Sequence, residues 1–368
     1  MKLPEVCKSL ATQCSLSPVL FNGHLQTIWA LLEPQSNPTY YLRRLFVQED
    51  KAQEGVFAVD FVTDAFEEDG SEIAPGTMYC TDDAFQSMPS DDSHPMVVIL
   101  HGLCGGSHEL YLRHVLAPLL SREEKWEACV LISRGCAGTP IRGGGIYHAR
   151  LTCDLRQTIG WLQRTFPNRP LFAVGFSMGA SILTRYIAEE GQSCALRAAV
   201  VVSNPWNLEV CALHMQRTLF GRLIYSPFMA FNLMKIFWRN ASAIASVAEI
   251  DMRKAKQIKY IHEFDRYIQC PSWKFRTETE YYRQSSSSNS VLDVAVPFLA
   301  INANDDPITG SEGIPRQEFL QSKYAVLCTT SQGGHLGWVQ NNGKRWYASL
   351  VTGFLSEMYY LDTGGSSG

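Results

Sequence analysis

Hydrophobic and polar positions fall into two regimes along the chain. From residue 96 onward, short unbroken apolar runs alternate with longer amphipathic stretches. Met96-Val97-Val98-Ile99-Leu100 is apolar throughout, which marks a strand buried on both faces. A helix-like segment follows at 108–121, then a strand at 128–133, a helix at 150–165, a strand at 170–175, a helix at 178–190 and a strand at 197–203. After an interruption come a strand at 296–302, a helix at 312–321, a strand at 324–329 and a last helix at 343–359. Repeated β-then-α units predict an α/β fold: a mainly parallel, twisted sheet with helices on both faces.

The remaining segments follow other patterns. Residues 1–55 carry no clear period and are read as an N-terminal extension packing on the core. Segments 56–63 and 76–81 mix alternation with β-branched residues, which predicts antiparallel strands joined by a hairpin loop over 67–76. The acidic, turn-rich stretch 81–95 reads as a surface connection. Residues 204–290 break the β/α rhythm between two core strands and read as an inserted helical cap. The core is then 56–203 plus 291–360, and 361–368 is a flexible tail.

Within the cap, 219–238 is rich in Phe, Leu, Ile and Met, with only Arg222 and Lys235 charged. A fully exposed helix of that composition would present an apolar patch that soluble monomers rarely carry. Three placements remain: against the core, over an acyl pocket, or on a membrane surface. The candidates for contact with an acyl chain are Phe228, Leu233 and Phe237.

Composition narrows the function classes. Hydrophobic residues make up 46% and charged residues 18%, enough apolar material for a sizeable core and too little charge for a disordered chain. A net charge of −4 implies no broad basic field, so nucleic acid is not expected as a partner. The 11 cysteines, odd in number and without a CxxC pair, point to a reducing, cytoplasmic setting and away from zinc-finger or thioredoxin chemistry. No secretory signal and no run of 18 uncharged apolar residues is present, so no spanning helix is expected. No HExxH or DxDxDG spacing occurs, and neither a metal nor a cofactor is expected.

The candidate chemistry starts at Gly175-Phe176-Ser177-Met178-Gly179. This G-x-S-x-G lies between a predicted strand and a predicted helix, the context in which a sharp turn lifts a serine hydroxyl clear of the sheet. A serine hydroxyl needs a base, and the base needs an orienting acid. In this architecture the acid and then the histidine follow at the ends of later strands. Asp306, directly before Pro307, occupies the acid position, with Asp305 as the alternative; His335 sits in the glycine-flanked loop after the next strand. The glycine-rich His101-Gly-Leu103-Cys104-Gly-Gly106 follows the strand at 96–100. It offers the backbone N–H of Leu103, with that of Met178, as donors to a developing oxyanion. His24 and His148 could line a site, but read first as solvated or hydrogen-bonded structural histidines.

Taken in order, NGHLQTIW (22–29), HGLCGGSHE (101–109), SRGCAGT (133–139), DLRQTIGWL (154–162), PLFAVGFSMGASIL (170–183), SNPWNL (203–208), FDRYIQCP (264–271), NANDDPI (302–308) and GGHLGW (333–338) carry a family resemblance. The chain resembles the α/β-hydrolase subfamily that includes fungal medium-chain fatty acid ethyl ester synthases (ethanol acyltransferases) and mammalian membrane-associated phospholipases and esterases. The resemblance covers about residues 18–355. It implies a catalytic triad of Ser177, Asp306 and His335 acting on acyl esters or acyl thioesters such as acyl-CoA, with water or an alcohol as acceptor. Two departures stand at the expected nucleophile elbow: Cys104 in place of a small hydroxyl residue, and Ala180 in place of glycine. The membrane-spanning N-terminus of some relatives is absent, which leaves peripheral membrane contact through the cap.

The leading expectation is therefore a serine hydrolase or acyltransferase working through an acyl-enzyme on medium-chain acyl groups. One alternative is a thioesterase or acyltransferase for a secondary-metabolite acyl chain. Another is a non-catalytic hydrolase-fold module that binds a small molecule, although the intact Ser, Asp and His set argues for chemistry.

Overall fold

The protein is described by a computed structural model covering residues 3–33, 39–67, 70, 73–143 and 145–364. Its strands are β1 (Tyr40–Val47), β2 (Val56–Thr63), β3 (Thr77–Tyr79), β4 (Met96–Leu100), β5 (Glu127–Ile132), β6 (Leu171–Phe176), β7 (Leu196–Val202), β8 (Phe298–Ala303) and β9 (Ala325–Thr330). They form one sheet in the order β3-β1-β2-β5-β4-β6-β7-β8-β9. From β5 to β9 every neighbouring pair is parallel. The side chains of β4, β6 and β8 are buried throughout, because helices cover both faces. The fold is the α/β architecture with a mostly parallel sheet.

The β2–β3 expectation needs correction. The two strands do not form a hairpin; β1 lies between them, antiparallel to β2 and parallel to β3. The strand at β1 is invisible to hydrophobic patterning because two arginines sit in its middle. Arg43 faces Asp60 of β2 across the ladder, and both side chains are fully buried. Its Nε and Nη2 donate to the two carboxylate oxygens at 2.6 and 2.7 Å. A buried charge persists only when paired and hydrogen-bonded, and this fork geometry meets that condition. Asp60 also accepts from the Ser107 hydroxyl at 2.6 Å, and Arg43 donates to the carbonyl of Ala137. One buried ion pair thus ties the sheet to the two loops that follow β4 and β5. Removing one partner alone would strand a buried charge, a loss of about 3–5 kcal/mol in comparable pairs.

At the N-terminus, helix Leu3–Leu10 packs on the long C-terminal helix Trp346–Thr363. A second helix, Gly23–Leu32, is capped by Asn22, whose side chain accepts from the N–H of Leu25 at 3.0 Å. The last helix runs to Thr363, so 361–363 of the expected flexible tail are helical, and 365–368 lie outside the described residues.

Between β7 and β8 the chain is helical. Helices Leu208–Arg217, Ser226–Arg239, Ile261–Phe264, Cys270–Trp273 and Glu278–Ser285 belong to this segment. Two wide turns, Gly221–Tyr225 and Asp265–Gln269, are each closed by an N–H reaching back five residues. Helix Ser226–Arg239 divides its apolar residues between two sides. Ala230, Leu233, Met234, Ile236 and Phe237 are buried, while Phe228, Phe231 and Trp238 are exposed, as are Leu219 and Leu223 just before it. No helix among the described residues is long and apolar enough to cross a membrane.

Candidate active site

The chain enters the site through the turn after β6. Ser177 has φ 51° and ψ −117°, a conformation that costs a non-glycine residue about 1–3 kcal/mol. Two glycines make the turn possible. A Cβ at Gly179 would stand 2.5 Å from the carbonyl oxygen of Leu100, and one at Gly175 would stand 2.7 Å from Cα of Ala180. Helix Met178–Glu190 therefore begins directly against the ends of β4 and β6. Its first N–H groups and its dipole point at the serine, a setting that favours negative charge.

His335 meets this hydroxyl: Nε2 and Oγ of Ser177 are 2.8 Å apart. On the other side of the ring, Nδ1 is 2.8 Å from Oδ2 of Asp306. A carboxylate can only accept, so Nδ1 carries the proton and Nε2 is left free to accept from the serine. The other oxygen of Asp306 accepts from the N–H groups of Ile308 and Thr309 at 2.9 and 3.1 Å. Burial raises this carboxyl, but the imidazole and the two amides lower it further, so Asp306 lies below the usual carboxylate range. Asp305 is displaced the other way, with burial outweighing its bonds to the amides of Gly334 and Gly333. It accepts from Gly334 N–H at 2.9 Å and braces the histidine loop. Of the two adjacent acids, Asp306 faces the imidazole.

The loop after β4 shows a division of labour among its amides. Gly102 N–H donates to the hydroxyl of Tyr111 at 2.8 Å, and Cys104 N–H to that of Tyr147 at 2.9 Å. Between them, the N–H of Leu103 has no acceptor among the described residues, and neither has that of Met178 at the helix start. Both residues line the same cavity as Ser177 and His335.

Two cavities flank the serine. The first encloses about 750 Å³ of empty space, part of it open to solvent. Its walls include Leu208, Ala212, Met215, Leu233, Ile261 and Phe264. The second, about 1380 Å³ by the same measure, is bordered by Cys104, Glu109, Tyr225, Phe228 and Asn232. Leu233 lies in the first cavity and Phe228 in the second. Phe237 lines neither: it is fully buried in the main core, on the inward side of its helix. Ala180 is also buried in the core beneath the elbow, away from both cavities, so only Cys104 of the two departures borders substrate space. Desolvation holds the Cys104 thiol well above its ordinary range. His24 bonds the hydroxyl of Tyr225 at 2.9 Å, and buried His148 accepts from Arg150 N–H at 3.2 Å.

Sequence reasoning missed what holds the histidine loop. Thr27 Oγ1 accepts from the N–H of His335 at 2.8 Å and donates to Gly23 O at 2.6 Å. Gln26 accepts from Val339 N–H at 2.8 Å, and the Ser203 hydroxyl from Leu336 N–H at 3.1 Å. The signal was present in the NGHLQTIW segment, but a threonine and a glutamine carry no chemical signature of their own.

A family model of the α/β-hydrolase fold matches residues 95–341. The chain belongs to the α/β-hydrolase family. This α/β-hydrolase is 32% identical over 374 residues to a monoacylglycerol lipase of Saccharomyces cerevisiae, covering 96% of this chain and 82% of that one. It is 30% identical over 392 residues to the medium-chain fatty acid ethyl ester synthase/esterase 2 of the same yeast, covering 94% and 86%. Against phospholipase ABHD3 of Mus musculus, identity is 29% over 248 residues, with 67% and 59% covered. A solved esterase of Pyrococcus furiosus shares the fold, with a TM-score of 0.53 at 16% identity over 88% of this chain and 94% of that one. The α/β-hydrolase thus falls in the subfamily its motifs resemble, and it is a hydrolase of esterase or lipase type.

Thr27→Val keeps the shape of the side chain and removes both buried hydrogen bonds. It is expected to lower stability by about 1–3 kcal/mol and to reduce esterase turnover, measured by urea unfolding and by kcat. Unchanged unfolding and turnover would mean that helix Gly23–Leu32 does not hold the histidine loop.

Proposed function

We propose that this α/β-hydrolase cleaves neutral carboxylic esters of medium-chain acyl groups through an acyl-enzyme on Ser177, with an alcohol able to replace water in the second step. The observation that carries the reading is the hydrogen-bonded series Ser177, His335 and Asp306 at the wall of an apolar cavity. His335 Nε2 takes the hydroxyl proton as Oγ attacks the ester carbonyl. The N–H groups of Leu103 and Met178 stabilise the tetrahedral oxyanion. Collapse breaks the bond to the alkoxide, which leaves with the proton from Nε2. Water, deprotonated by the same nitrogen, then attacks the acyl-enzyme and frees the acid. An alcohol in its place gives a new ester. Asp306 fixes the tautomer and stabilises the imidazolium.

The cavities favour a neutral ester. The first has a largely apolar lining that suits a hydrocarbon chain. Among the described residues no Lys or Arg lines either cavity, while Glu33 and Glu109 border the second. Desolvation pushes Glu109 up to about 7. A phosphate group there would find no Lys or Arg at the wall among the described residues, with Arg345 already engaged by Glu33, which argues against phospholipids and acyl-CoA. The yeast relatives, named for monoacylglycerol and ethyl ester chemistry, support the same choice. Exposed Leu219, Leu223, Phe228 and Phe231 lie in or near helix Ser226–Arg239, with Phe228 at the second cavity, and favour peripheral contact with a lipid surface.

Ser177→Ala is expected to lower kcat by about 10⁴–10⁶. Asp306→Asn should lower it by about 10³–10⁴, and Asp305→Asn far less. Monoacylglycerols and ethyl esters should be turned over at least about tenfold faster than lysophosphatidylcholine of the same chain, a margin of about 1.4 kcal/mol. A larger loss in Asp305→Asn, or a preference for the phospholipid, would contradict the reading. The protein should also float with phosphatidylcholine liposomes, and Phe231→Glu should weaken flotation; a protein that stays at the bottom of the gradient would exclude the lipid contact.

A further inference from the structure

The first cavity is not apolar throughout, and its polar part is unused by the chemistry proposed above. Asp265, Gln269, Tyr281 and Tyr282 all line it. Asp265 and Gln269 sit at the two ends of the wide turn Asp265–Gln269, where the N–H of Cys270 reaches back to the carbonyl of Asp265. Such widened turns recur at functional sites. Gln269 is 2% exposed and its orientation is forced. Its Nε2 donates to the carbonyls of Tyr147 and Ile146 at 3.0 and 3.4 Å, and only an amide nitrogen can do so. Its Oε1 is buried and has no hydrogen-bond partner among the described residues. Asp265, 8% exposed, accepts from the Tyr282 hydroxyl at 2.7 Å, and among the described residues no Lys or Arg lines the cavity to neutralise it. Burial pushes this carboxyl up to about 7, so near neutral pH it both accepts and donates.

The position of this cluster relative to the serine is set by Tyr147. Its hydroxyl accepts from Cys104 N–H in the loop beside Ser177, while its carbonyl accepts from Gln269. The polar groups therefore lie about one tyrosine length from the loop that borders the reacting centre. A plain hydrocarbon chain filling the cavity would set methylene groups against the wall that Asp265 and Gln269 form and leave the amide oxygen still unpartnered, a costly arrangement for buried polar atoms.

We propose that this cluster is a subsite for a hydroxyl on the acyl chain, so that the preferred substrates are esters of hydroxylated medium-chain acids. The chain hydroxyl donates its one proton to Gln269 Oε1 and accepts a second hydrogen bond from the Asp265 carboxyl. The inference rests on the first cavity being the acyl site. A site built around such a bond discriminates strongly against the analogue that lacks it.

The test compares kcat/KM for p-nitrophenyl octanoate with a series of hydroxyoctanoates bearing the hydroxyl at each carbon from the fourth to the eighth. At least one hydroxylated ester should exceed the plain ester by about tenfold or more in the wild-type protein. Gln269→Met and Asp265→Leu should each bring that ratio close to one; the ratio is read within each variant, so a loss of overall activity does not disturb it. Normal turnover of the plain octanoate with no hydroxyl position favoured would overturn the subsite and leave the proposed function standing. No turnover of any ester, together with no acylation of Ser177, would overturn both.

Discussion

The site depends on one backbone constraint, the reversal at Ser177. The chain leaves β6, turns within one residue at positive φ, and enters a helix whose second residue nearly touches the carbonyl ends of β4. That crossing leaves no room for a Cβ at Gly175 or Gly179. In return it sets the serine hydroxyl at the carboxyl edge of the parallel strands, where the loops after β4, β8 and β9 converge. The strain of about 1–3 kcal/mol is held by the fully buried strands β6 and β4, whose ends meet at the turn.

The partners of the serine are assembled by hydrogen bonds that span the chain. The histidine loop is held by Thr27, 308 residues away in sequence, by Gln26, by Ser203 and by Asp305. Asp306 is fixed by two amides of its own turn, so its carboxylate faces the imidazole without freedom to rotate. On the opposite side, Tyr111 and Tyr147 take up the amides around Leu103 and leave that one free. The Arg43–Asp60 pair reaches the same loop through Ser107. Positioning of this kind places donors where charge develops before any substrate arrives.

Much of this could be read from the sequence where one physical rule dominates locally. Strands β4, β6 and β8 were legible because strands covered on both faces must be apolar throughout, and β5, β7 and β9 because their apolar runs repeat in the same β-then-α rhythm. Ser177, Asp306 and His335 stood out because their residue types and order are demanded by nucleophile chemistry. Strand β1 escaped because Arg43 breaks the apolar pattern, and only Asp60 opposite makes its burial tolerable. The same limit applies to Phe237: helix Ser226–Arg239 is apolar around much of its circumference, so periodicity alone does not tell its core side from its cavity side. Thr27, Gln26, Asp265 and Gln269 were not legible because their meaning comes from partners distant in sequence.

The central claim is that Ser177 forms a covalent acyl intermediate. It is tested most directly by mixing the protein briefly with excess p-nitrophenyl octanoate, quenching in acid during turnover, and locating the added mass by peptide mass spectrometry. The account predicts one octanoyl group, replacing one hydrogen, on the peptide that contains Ser177, and none in Ser177→Ala. An acyl group on a cysteine or another residue, or full ester turnover by Ser177→Ala, would contradict it.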